Sequence, residues 1–139
     1  MHARRFRITI KKVEPPFSSD LEDEFNFICK SLGFFEEIDK EKTASAIFKQ
    51  IVKNYDKGKM LTSTELSRIV KMSRGSIINH LNNLITAGLV VREGRYYLPR
   101  SRSVFRIIRE IEEDIERVFR KMEERAKRID REFGIEVQE

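Results

Sequence analysis

The chain has one cysteine, no tryptophan, two histidines, three prolines and six glycines in 139 residues. A single thiol, Cys29, closes no intrachain disulfide, which fits a reducing cytoplasm and leaves the core to packing alone. Cys29 falls at helical spacing from Phe25 and Leu32 and reads as a buried apolar filler. No apolar run approaches the ~20 residues of a membrane span, and no signal-peptide core follows the basic start, so no membrane partner is expected. There is no Gly-rich phosphate loop, no carboxylate pair beside a nucleophile and no His/Cys cluster. His80 is a lone histidine without a partner base, better suited to packing than to proton transfer. The sequence therefore points to no enzyme, no cofactor and no metal.

What the chain has in abundance is charge: 37% of its residues are Asp, Glu, Lys or Arg, with a net of +5. The excess is localised. Residues 1–58 carry a net of +1 and residues 103–139 a net of −2, whereas residues 59–102 hold 8 basic against 2 acidic side chains, a net of +6. A basic segment inside an otherwise balanced chain is the electrostatic footprint of a nucleic-acid binder.

The local patterns of that segment explain the charge. Thr62-Ser63-Thr64-Glu65 is a capping box opening a short helix with Leu66, Ile69 and Val70 on one side. Lys71-Met72-Ser73 forms a tight turn, and Ser73 caps a second helix, Arg74 to Thr86, that stops at Gly88. Ile77, Leu81 and Leu84 give this helix one buried stripe, while Gly75, Ser76, Asn79, Asn82 and Asn83 give it a short, polar, uncharged outer face. Such a face can enter a major groove and meet base edges. Leu89 to Arg92, Glu93-Gly94 and Arg95 to Leu98 then form a hairpin. Helix, turn, helix and hairpin in that order make a winged helix-turn-helix.

Met72 to Leu98 resembles the ArsR-like winged-helix transcriptional regulators, through Ser73, His80, Leu81, Leu84, Ala87, Gly88, Leu89 and Val90 and the wing-like Arg92–Leu98. Their metal-sensing members carry a Cys-x-Cys pair on the preceding helix; Glu65 to Val70 has no Cys, so the resemblance is to the non-metal-sensing kind. Ile78 stands where the family shows a small polar residue facing the groove. The winged helix and its charge predict a DNA-binding face made of Arg68, Lys71, Arg74, Ser76, Ile78, Asn79, Asn82, Arg92 and Arg95, with Arg74 and Asn79 nearest base edges and Arg68, Lys71, Arg92 and Arg95 on the backbone.

Outside this module, residues 4–13 alternate Phe6, Ile8 and Ile10 with charged or polar residues, the pattern of a half-buried strand that Pro15 and Pro16 end. Such a strand needs a partner, either the wing hairpin or its copy in a second subunit. Ser19 and Glu22 predict a capping box and a helix through Leu32, and Asp39 to Tyr55 predicts the next helix. Ser101 to Phe133 contains neither Gly nor Pro and predicts a helix of about 50 Å. Val104, Ile108, Ile111, Ile115, Val118, Met122 and Ile129 follow a coiled-coil spacing interrupted by Arg125 and Glu132 at d positions, and Phe105, Phe119, Ala126 and Phe133 widen the stripe. A dimerisation seam of Val104, Ile108, Ile111, Ile115, Val118, Phe119, Met122 and Ile129 follows.

The expected fold is mainly α with a small β-hairpin: an N-terminal strand or arm (1–16), a winged helix-turn-helix with N-terminal helices (17–100), and a long dimerisation helix and tail (101–139). The expected function is a homodimeric, cytoplasmic regulator that binds double-stranded DNA. The alternative is a winged-helix docking factor on structured RNA or a ribosomal particle, with Ile78 as an exposed apolar contact.

Overall fold

The computed structural model describes residues 7–34 and 42–138. Among them the order is α1 (Leu21–Ser31), α2 (Thr43–Asp56), β1 (Leu61–Thr62), α3 (Ser63–Val70), α4 (Arg74–Thr86), β2 (Val90–Glu93), β3 (Tyr96–Pro99) and α5 (Val104–Glu132). The mainly helical fold with a small wing is as the sequence predicts. The chain divides into two units, residues 1–107 and 108–139, with the division falling inside α5.

In the first unit α2 lies at the centre, touching α1, α3, α4, β1 and β3. Ala44, Ile47, Phe48 and Ile51 are buried on it, with Phe48 meeting the Phe25 ring edge-on at 5.7 Å between centroids. Cys29 is fully buried, as its spacing predicts. The stripe of α4, Ile77, Leu81 and Leu84, is fully buried as well. The Asp39–Tyr55 expectation starts too early: Lys42 is the left-handed N-cap and α2 opens at Thr43, while residues 39–41 lie outside the described residues. The cap of α1 is Asp20, whose carboxylate accepts the Glu22 N–H, and not Ser19.

The sheet has one strand more than the hairpin read from sequence. Leu61 and Thr62 pair antiparallel with Tyr97 and Tyr96, so the order is β1-β3-β2. Thr62 holds the wing to the helix-turn-helix, because the residue that pairs with Tyr96 is also the N-cap of α3. Its hydroxyl accepts the Glu65 N–H at 3.2 Å, and Glu65 Oε1 accepts the Thr62 N–H at 3.1 Å. The predicted capping box is complete. A two-residue strand carries too little alternation to be legible before its partner is known.

The alternating segment near the N-terminus, by contrast, joins no sheet over its described part, residues 7–13. Its N–H groups go to helix ends: Arg7 donates to the Thr86 carbonyl at 3.0 Å and Lys11 to the Ser31 carbonyl at 2.7 Å. Those are last-turn carbonyls of α4 and α1, which have no acceptor role within their own helices. Gly33 lets the segment pass, since a Cβ there would sit 3.0 Å from Thr9 Cβ and its φ is +90°. Four helices, α1, α2, α4 and α5, close with the same pair of backbone bonds around a glycine, such as Gly88 N–H to Ile85 and Leu89 N–H to Leu84.

The last helix is shorter than Ser101–Phe133 because Ser103 caps it, accepting the Arg106 N–H at 3.2 Å. Its inward residues are Ile107 and Ile111, fully and almost fully buried, whereas Ile108 is 36% exposed. The predicted seam thus omits Ile107, and Ile111 is already covered in the single chain.

Two outcomes follow. Phe48→Ala leaves a cavity beside Phe25 in the fully buried face of α2 and is expected to cost about 3–5 kcal/mol in urea denaturation. The Glu65 carboxyl is held below its ordinary pKa chiefly by the Thr62 N–H, against a burial effect that raises it, with the Thr62 hydroxyl and the Lys59 ammonium adding to the lowering. Its contribution to stability is therefore full above the ordinary carboxylate pKa and lost as pH falls through the lowered one. The melting-temperature gap between the wild type and Glu65→Gln is expected to shrink on acidification across that window, and Thr62→Ala to cost about 1 kcal/mol at neutral pH.

Candidate nucleic-acid interface

The helix-turn-helix is fixed at its turn by side-chain bonds from both helices. Lys71 ends α3 in the left-handed region, φ 60°, and the Ser67 hydroxyl donates to the Met72 carbonyl at 2.6 Å. Ser73 then takes the predicted N-cap place, its hydroxyl accepting the Ser76 N–H at 3.2 Å. Arg74 Nε lies 3.4 Å from Ser63 Oγ, so the first residues of α3 and α4 are tied side to side. With Ile77, Leu81 and Leu84 turned inward, Arg74, Gly75, Asn79, Asn82 and Asn83 are exposed along the outer face. Ser76 is half-buried beside its cap.

Ile78 differs from expectation. It is half-buried, at the edge between the inner stripe and the outer face, and so is not the exposed apolar contact that the sequence suggested. A helix position one residue past a buried one lies about 100° round the axis, where either fate is open until the neighbouring elements are placed. His80 is half-buried too.

Ion pairing sorts the basic residues of the +6 segment. Lys59 stands 3.4 Å from Glu65 and Arg102 3.8 Å from Asp56, while Arg100 is half-buried. Arg68, Lys71, Arg74, Arg92 and Arg95 are all exposed and, among the described residues, none is in an ion pair. These five are the cations singled out from sequence. Two sit on the wing and are held by it. Arg92 donates from Nε to the Gly94 carbonyl at 2.8 Å, with its guanidinium 5.6 Å from the centre of the Tyr97 ring. Arg95 lies 5.2 Å from the Tyr96 ring centre and donates to the Tyr96 hydroxyl at 3.2 Å, a bond that holds its pKa above the ordinary arginine value. A guanidinium stacked on a ring loses less rotamer freedom when it grips an anion. Sequence reasoning passed over the two tyrosines as supports of these cations, although Arg95-Tyr96-Tyr97 adjacent to Arg92 was the signal.

Gly75 carries a second clue. A Cβ there would meet nothing within 4 Å, and its φ is an ordinary one. Among the described residues nothing requires glycine at this place, although glycine in a helix costs roughly 0.5–1 kcal/mol relative to alanine. At this one position the outer face of the first α4 turn carries no side chain, as a surface approaching the backbone closely would need. Among the described residues no group of three His, Cys, Asp or Glu could hold a metal ion.

A family model described as bacterial regulatory protein, arsR family, matches residues 49–91, from within α2 through α3 and α4 to Val91 in β2. No curated protein and no solved structure gives a significant match. The matched stretch contains the buried α4 stripe, the Ser73 cap and three of the five unpaired cations, Arg68, Lys71 and Arg74. Residues 49–91 are thus similar to the helix-turn-helix of the arsR family of bacterial regulatory proteins, a likeness that supports a DNA-binding, regulatory module.

Proposed function

We propose that the protein is a cytoplasmic, homodimeric regulator that binds double-stranded DNA through α4 and the wing. The observation that carries this reading is the sorting of cations: the five that flank the outer face of α4 or stand on the wing are the ones that, among the described residues, have no carboxylate partner. In this reading α4 lies in the major groove with Asn79 and Asn82 toward base edges and Ser76 toward base or phosphate. Arg74, Arg68 and Lys71 hold the phosphates on either side, and Arg92 and Arg95 grip the backbone or minor groove. Ile78 is left to a shallow contact at the rim of the face. Two copies would meet two half-sites about one helical turn apart.

Dimerisation in this reading uses the apolar side of α5, of which Val118, Phe119, Met122 and Ile129 are at least half exposed in the single chain. The rival, docking on structured RNA or a ribosomal particle, drew on an exposed Ile78. The half-buried Ile78 removes that support.

Fluorescence anisotropy with labelled duplexes tests the proposal. Binding is expected to fall steeply with salt; Arg95→Ala is expected to lower the log–log slope by about one and to weaken all sequences alike. Asn79→Ala is expected to narrow the preference between a selected site and random duplex, a loss of about 1–3 kcal/mol of discrimination. Gly75→Ala is expected to raise the melting temperature while weakening duplex binding, because the added methyl meets no atom of the chain and stands on the outer face. Salt-independent binding, or tighter binding to structured RNA than to any duplex, would sink the reading.

A further inference from the structure

The distal half of α5 and the residue after it carry an apolar face that is at least half exposed among the described residues. Val118, Phe119, Met122, Ile129 and Phe133 are 57, 53, 50, 57 and 76% exposed. The charged residues at d positions disappear if the seam changes row at Ile115. Ile115, Phe119, Met122, Ala126, Ile129 and Phe133 alternate spacings of four and three with no polar interruption, and Arg125 and Glu132 move to the g flank. The steps Ile111–Ile115 and Ile115–Phe119 are both four residues, which is a stutter, a place where a coiled coil locally unwinds.

The two flanks of this seam differ in charge. One carries Glu116, Glu123 and Asp130, and the other Lys121, Arg125 and Arg128 before Glu132. Glu116 meets Arg120 of its own helix at 3.6 Å. Among the described residues Lys121, Glu123, Arg125, Arg128 and Asp130 are in no ion pair. Two copies packed parallel set the basic flank of each against the acidic flank of the other. Packed antiparallel, they set acid on acid and base on base. Asp130 follows Arg125 by five residues, the separation of a g position from the e position it faces across a parallel pair. A bilayer surface is a poorer occupant, because the helix and tail, residues 103–139, carry a net of −2 and line one edge of the face with carboxylates.

We infer that residues 115–133 form a parallel, in-register two-stranded coiled coil with a second copy of this chain, oriented by paired Arg125–Asp130 contacts between the copies. This rests on the homodimer reading above and adds its direction and register. It sets the N-terminal ends of the two α5 helices, which lead out of the DNA-binding units, at the same end of the pair.

The test uses the full chain. Sedimentation equilibrium is expected to show a dimer that Arg125→Glu weakens by roughly tenfold and that the double variant Arg125→Glu with Asp130→Arg restores. Both positions lie on the polar edges of one helix, and circular dichroism checks that the variants stay folded. Phe133→Cys places a thiol at the distal end of the seam, where a parallel pair is expected to cross-link on mild oxidation; the native Cys29 is fully buried and does not compete. A dimer that fails to cross-link through residue 133 and ignores the charge swap overturns the parallel register while leaving the homodimer standing. A chain that stays monomeric overturns both, and duplex binding then stands or falls by its own assay. Partition of the chain onto phosphatidylcholine–phosphatidylglycerol vesicles, abolished by Phe119→Glu, would overturn the choice of a second copy as occupant.

Discussion

The buried face of α2 is the constraint on which the first unit depends. Ala44, Ile47, Phe48 and Ile51 are buried on the helix that touches α1, α3, α4, β1 and β3, so those elements are placed by what they cover. Burial of apolar side chains is non-directional and sets proximity but not orientation. Orientation comes from directional bonds at the margins: the Ser73 cap, the Ser67–Met72 bond across the turn, the Arg74–Ser63 contact and the capping box at Thr62. The core holds α4 by its inner stripe, and these bonds set which residues the outer face presents.

Thr62 is where the helix-turn-helix and the wing are joined. As the end of β1 it pairs with Tyr96, and as the cap of α3 it fixes the first turn of the helix-turn-helix. The ring of Tyr96 in turn supports Arg95, and its neighbour Tyr97 supports Arg92. A short run of contacts therefore leads from the α3 cap to the guanidiniums of the wing. Cations on a mobile hairpin would lose more freedom on meeting a phosphate than cations held by ring stacking and a two-residue strand pair.

Much of this was legible in the sequence, for a physical reason. The start and stop of α4, the capping box of α3 and the wing turn are local: a hydroxyl, a carboxylate three residues on, a glycine where the backbone turns left-handed. Local rules can be read without knowing what packs on what. The parts that were not legible are those decided by a distant partner. β1 exists only because Tyr96 and Tyr97 lie beside it. The alternation of residues 4–13 suits a strand, but the acceptors that its described N–H groups find are the carbonyls of Ser31 and Thr86 at two helix ends. Asp20 and Ser19 are both good caps, and nothing in the local sequence chooses Asp20, whose carboxylate takes the Glu22 N–H.

The fifth helix shows the same division within one element. Its apolar stripe is broader than a single coiled-coil seam, and residues along it meet different fates: Ile107 and Ile111 are buried in the chain, while Phe119, Met122, Ile129 and Phe133 are open. A reading that assigns one partner to the whole stripe places Ile111 with the open residues and leaves Arg125 as a flaw in the core of the seam. Dividing the stripe at Ile115 accounts for both, because the proximal turns are used within the chain and the distal turns follow a frame of their own. In that frame the charged residues that seemed to interrupt the seam become its edges, where opposite signs on opposite sides choose between parallel and antiparallel pairing. In the proposed pair the apolar face is what would make association favourable, and the flanking charges what would decide its direction.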